Sequence, residues 1–146
     1  MEKFIILLVV MFTQTTFKQT QLKYVRVKTA YDEKEEVVKK YFIQKKVMYK
    51  GFHLFIRVFK KEQTVEVWAR EDGKEPYALL HSYNFCATSG TLGPKRKEGD
   101  MQIPEGVYVI NHFNPQSNFY LSLGINYPNA SDRILSNPNR PGGQIY

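Results

Sequence analysis

The chain has 146 residues, 42% of them apolar, with a net charge of +7 and a single cysteine. That length and hydrophobic content exclude a disordered chain and suit one domain with its own core, and one cysteine excludes an intrachain disulfide. The basic balance admits nucleic acid, an anionic surface or an acidic polymer as partner, and does not choose among them.

The first residues, MEKFIILLVVMFTQTTFKQ, read as a secretory signal, with residues 1–20 as the signal peptide and residues 21–146 as the exported part. Residues 4–12 are nine unbroken apolar positions, which fits a signal core and is too short to span a membrane. The competing reading is a buried N-terminal strand. No later apolar run is long enough to cross a bilayer, so no transmembrane segment is expected in the mature chain.

Thr29 and Asp32 have capping-box spacing, so a helix is expected from Thr29 to about Ile43. Val37, Val38, Tyr41 and Phe42 form its apolar stripe. Glu35 with Lys39 and Glu36 with Lys40 form its i,i+4 pairs. After Gly51 the period changes to two. FHLFIRVFK and TVEVWAR form a hairpin, and YALLHSYNFCATS, GVYVINHF and NFYLSLGI are further strands. Seven of nine glycines and six of seven prolines lie beyond Ser89, which places the elaborate loops in the second half. The first, SGTLGPKRKEGDMQIPEG, spans residues 89–106, and the second spans residues 126–143. Loops of that length in a small domain are usually functional or disordered. At Gln144 a strand-like alternation begins and stops at Tyr146, so the domain is expected to be C-terminally incomplete.

The soft ligands are His53, His81, His112 and Cys86, without helical i,i+4 or C-x-x-C spacing, so no metal site is read. Cys86 follows His81 by five residues on one predicted strand, which sends the two to opposite faces; it reads as a structural thiol and not a nucleophile. No G-x-S-x-G, Walker A or dinucleotide fingerprint is present, and no cofactor is read. Lys95, Arg96 and Lys97 can grip an anion. The aromatics lie mainly in strands with core-like alternation, so a basic nucleic-acid-binding β-domain is the weaker reading and no nucleic-acid partner is assigned.

From the first loop onward the sequence resembles the L,D-transpeptidase family, with its YkuD-type catalytic domain, in the murein transpeptidase branch of the YafK type. The resemblance runs from about Arg26 to Tyr146 and is most specific between Tyr83 and Asp132. Ile103-Pro104-Glu105-Gly106-Val107-Tyr108 fills the family's TP-x-G-x-Y element, with Ile103 in place of the usual Thr. SGTLGPKRKEGD before it and NFYLSLGINYPNASD after it match the branch.

The resemblance implies a mainly β, α+β fold with an N-terminal helix, a β-sandwich-like mixed sheet. It implies location outside the cytoplasmic membrane, in the periplasm or cell envelope, with peptidoglycan stem peptides as partners. It also implies acyl transfer through a cysteine thioester, with a His base and backbone N–H groups at the oxyanion. The family's His-Gly and Ser-x-Gly-Cys motif follows a segment like PGGQIY. That motif does not occur in these 146 residues, and Cys86 is not at its position, so no catalytic residue is assigned in this chain. Lys95, Arg96, Lys97, Asp100, Glu105, Tyr127 and Asn129 are the candidate substrate-binding residues. Gly90, Gly93, Pro94, Gly99, Pro104 and Gly106 shape the loop that carries most of them. A non-catalytic wall-binding remnant is the alternative to the enzyme.

Overall fold

The computed structural model describes residues 16–73, 76–85 and 87–146. The apolar run at residues 4–12 and Cys86 lie outside the described residues. Among the described residues there are three helices and five strands: α1 Phe17–Gln21, α2 Val25–Gln44, β1 Phe52–Phe59, β2 Thr64–Glu71, β3 Ala78–Asn84, β4 Ile110–Asn114, β5 Ser122–Ile125 and α3 Ala130–Leu135. The strands form two antiparallel sheets, β1-β2-β3 and β4-β5, in agreement with the α+β class expected.

α1 falls at the end of the predicted signal peptide. Its N-terminus carries a true capping box: Thr16 accepts from the Gln19 amide, and Gln19 Oε1 accepts from the Thr16 amide. Phe17 then packs edge-on against Phe113 of β4, with ring centroids 4.9 Å apart.

α2 starts at Val25, four residues before the expected Thr29 cap, with Tyr24 as N-cap and no side-chain cap bond. The spacing of Thr29 and Asp32 misleads because Asp32 pairs along the helix instead, with Lys28 Nζ 2.6 Å away. The other pairs also differ in part from expectation. Lys39 takes both Glu35, at 3.5 Å, and Glu36, at 2.7 Å, in place of a Glu36–Lys40 pair. The C-terminus is a Schellman turn. Lys46 has φ +56°, its amide reaches the Ile43 carbonyl, and the Val47 amide reaches the Phe42 carbonyl. That turn drops Val47 onto the core.

The core is small. Phe42, Ala69 and Leu80 are buried, with Val38, Tyr41, Val47, Tyr49 and Val67 packed around them. Phe42 meets Tyr49 and Phe52 through its ring faces and edges. Val37 falls outside this cluster and is 43% exposed, so the apolar stripe of α2 is narrower than the sequence pattern implied. β1 and β2 pair in register from Phe52–Glu71 to Phe59–Thr64, as the hairpin reading expected. A bulge between Val67 and Trp68 shifts β3 so that both Leu80 and His81 face α2, where His81 stacks on Tyr41.

Several segments expected as strand or loop differ, and residues 85, 87–89 and 118–121 of the expected strands are turn or irregular. Residues 106–109 are not strand. Tyr108 and Val109 are held by side chains from the second loop: the Tyr108 hydroxyl donates to Asp132, and the Val109 amide donates to Asn126 Oδ1 at 2.7 Å. The second loop in turn contains a helix, α3, started by Asn129 in a capping box with Asp132. At the other end of it, the Ile125 amide donates to the Ile145 carbonyl at 3.0 Å. That single bond ties residue 145 to β5, but residues 144–146 are not strand, and Gln144 has φ +53°.

Candidate functional site

The first loop is organised by one carboxylate. Asp100 Oδ1 accepts from Lys95 Nζ at 2.7 Å and from the Gln102 amide at 3.1 Å; Oδ2 accepts from the Arg96 and Lys97 amides at 2.8 and 2.9 Å. The chain curls through the left-handed Gly99, which brings the Asp100 carboxylate to all four donors. Both partners are nearly out of water, with side-chain exposures of 8% for Lys95 and 11% for Asp100. Burial alone would raise the Asp100 carboxyl. The Lys95 ammonium and the three backbone N–H groups outweigh it and hold the acid well below the ordinary range.

A second clasp ties the loop to the β1–β2 hairpin. Lys60 Nζ, at the end of β1, donates to the Gly93 and Ile103 carbonyls and to Glu105 Oε1 at 2.8 Å. The same Glu105 oxygen accepts from the Gly93 amide. The hydrogen bond from Lys60, then that from Gly93, lowers the Glu105 carboxyl. Gly90, at φ +71°, lets Gln102 fold onto Thr91. A Cβ there would stand 2.5 Å from Gln102 Oε1 and 2.6 Å from the Met101 carbonyl.

The two long loops lie against each other. The Glu98 amide donates to the Arg140 carbonyl, the Asn137 amide to the Arg96 carbonyl, and Arg140 Nε to Glu98 Oε2. Tyr127 is buried and donates its hydroxyl to the Pro141 carbonyl. Asn129 uses both ends of its amide, accepting from the Asp132 amide and donating to the Val107 carbonyl. Tyr108 donates to Asp132, and burial, then that bond, keeps its phenol above its ordinary range and protonated. A polar groove of about 350 Å³ runs along the seam between Glu98 and residues 139–144.

The candidates divide by what their polar ends do. Lys95, Asp100, Glu105, Tyr127 and Asn129 spend theirs inside the loop framework. Arg96 is half-buried and Lys97 exposed, and neither side chain has a hydrogen bond or ion pair among the described residues. The first loop therefore carries Arg96 and Lys97 on a framework that is hydrogen-bonded through the other five. Sequence reasoning missed Lys60 and left Tyr108 and Asp132 outside the substrate-binding set. The spacing of Asn129 and Asp132 is itself a capping signal, whereas nothing local marks Lys60 as the partner of an acid 45 residues on.

No group of three or more His, Cys, Asp or Glu side chains among the described residues is arranged to hold a metal ion. No described helix is long and apolar enough to cross a membrane.

No family model matches the chain. Two curated proteins do match, both named "Putative L,D-transpeptidase YafK", from Escherichia coli strain K12 and Escherichia coli O157:H7. Each is 41% identical over 85 residues, which is 57% of this chain. The chain spans about a third of the length of these relatives, 34%. Over that stretch the chain is similar to proteins named putative L,D-transpeptidase YafK.

Proposed function

We propose that these residues form the substrate-binding part of a peptidoglycan L,D-transpeptidase exported to the cell envelope, and that Arg96 and Lys97 receive the carboxylates of a stem peptide. The observation that carries the reading is the 41% identity over 85 residues to proteins named "Putative L,D-transpeptidase YafK". Two cations on a braced loop support it, because charge-assisted bonds to a carboxylate gain most when the donor is held in place before binding. The chemistry belongs to the family's His-Gly and Ser-x-Gly-Cys motif, which these 146 residues do not contain. There the thiolate attacks the acyl carbon of the donor peptide, the terminal residue leaves, and an amine or water resolves the thioester. The same cleft without that motif would bind the wall peptide and not turn it over.

Calorimetric titration of the chain with a soluble stem peptide tests the binding role. Saturable binding that Arg96→Ala weakens about tenfold is expected, the scale of one lost charge-assisted hydrogen bond. Equal affinity for the wild type and the Arg96→Ala, Lys97→Ala double variant would sink the assignment.

A further inference from the structure

The sheet β1-β2-β3 has two unlike faces. One packs Ala69, Leu80 and Val67 against α2. The other carries Phe55 directly opposite Trp68 and Arg57 directly opposite Glu66, with Arg70 and Tyr77 beside them. The rings and cations on this second face are ordered among themselves. The Arg57 guanidinium lies 4.8 Å from the Phe59 ring centroid and 5.5 Å from that of Trp68. The Arg70 guanidinium lies 5.0 Å from the ring of Tyr77, which stands 5.9 Å from Phe55. Trp68 Nε1 donates to Glu66 Oε2 at 2.9 Å, and the same oxygen is 3.5 Å from Arg57. Phe55 remains 46% exposed and the Arg57 side chain 43%.

We infer that this outer sheet face binds the glycan strand of the wall, an N-acetylhexosamine polymer. The inference rests on the peptidoglycan reading above and extends it from the peptide to the sugar. A pyranose presents one face of C–H bonds, which suits the electron-rich face of an aromatic ring. Its rim of hydroxyl and acetamido groups both donates and accepts. Phe55, Trp68 and Tyr77 supply the rings; Arg57 and Arg70 supply donors and Glu66 an acceptor within the same patch. The charge pattern separates this ligand from a nucleic acid. A phosphate backbone is drawn to uncompensated cations, whereas here the Glu66 carboxylate lies within the patch and shares Arg57. A sparsely charged polymer of sugars fits that arrangement better.

Trp68 is the chain's one tryptophan, so its emission reports on this face. The whole chain would be titrated with chitohexaose, with wall glycan freed of its peptides and with a 15-nucleotide oligothymidylate. The first two are expected to shift Trp68 emission saturably, with little dependence on salt. Phe55→Ala and Arg57→Ala should each weaken both sugars about tenfold and leave the circular dichroism of the fold unchanged. Unaltered emission with both sugars would overturn the inference, as would stronger, steeply salt-dependent quenching by the oligonucleotide. Neither sugar carries a peptide, so failure here is separate from failure of stem-peptide binding.

Discussion

Replacing Asp100 by alanine removes the acceptor for four donors at once. The Lys95 ammonium is left at 8% side-chain exposure with one remaining acceptor, the Lys97 carbonyl at 3.0 Å. Breaking a buried pair from one side costs about 3–5 kcal/mol, since the surviving charge keeps its desolvation cost. Folded domains have only about 5–15 kcal/mol in total, so the variant loses a fifth or more of that. Lys95→Met is the milder change, because the carboxylate then still holds three backbone N–H groups. Urea unfolding followed by Trp68 fluorescence measures the global term. Hydrogen exchange at the Arg96, Lys97 and Gln102 amides measures the local one, and protection there should collapse in Asp100→Ala. The pH dependence has a definite sign. The folded Asp100 pKa lies below its unfolded value, so its contribution is complete above the ordinary aspartate range near pH ~4 and is lost as pH falls toward the folded value. Stability within 1 kcal/mol of wild type together with unchanged amide protection would refute the role given to Asp100.

Two further outcomes are expected. Gly90→Ala should cost more than Gly73→Ala in thermal unfolding. Both residues have φ near +70°, for about 1–2 kcal/mol of backbone strain, but only at Gly90 does the new Cβ meet the Gln102 side chain and the Met101 carbonyl; equal costs would contradict the packing of Gln102 onto Thr91. In NMR titration, Glu105 should titrate below an ordinary glutamate and move upward in Lys60→Ala, since Lys60 is the largest cause of its lowering; no movement would mean that the hairpin and the loop are not clasped in solution.

Periodicity made the β1–β2 hairpin and β3 legible, because alternation over eight residues leaves few other ways to bury Val67 and Ala69. It also made the buried end of α2 legible through Tyr41 and Phe42. The start of α2 was not legible, because Asp32 can fold back on Thr29 or reach Lys28 and the local spacing suits both. The extended segment at residues 106–109 looked like strand because its residues favour one, but what holds it is a pair of asparagines and an aspartate from the second loop.

The sequence by itself determined the class of the fold, the glycine-rich character of the first loop and the set of seven polar residues worth watching. Only the tertiary structure decided which of them face inward. Lys95 and Arg96 are neighbours of like charge in the chain, and no local rule separates them. The Asp100 carboxylate lies within 2.7 Å of the Lys95 ammonium and takes only the backbone N–H of Arg96. A buried carboxylate collects whatever donors the folded chain brings to it, so the charge left for a ligand is set by three-dimensional proximity and not by order along the sequence.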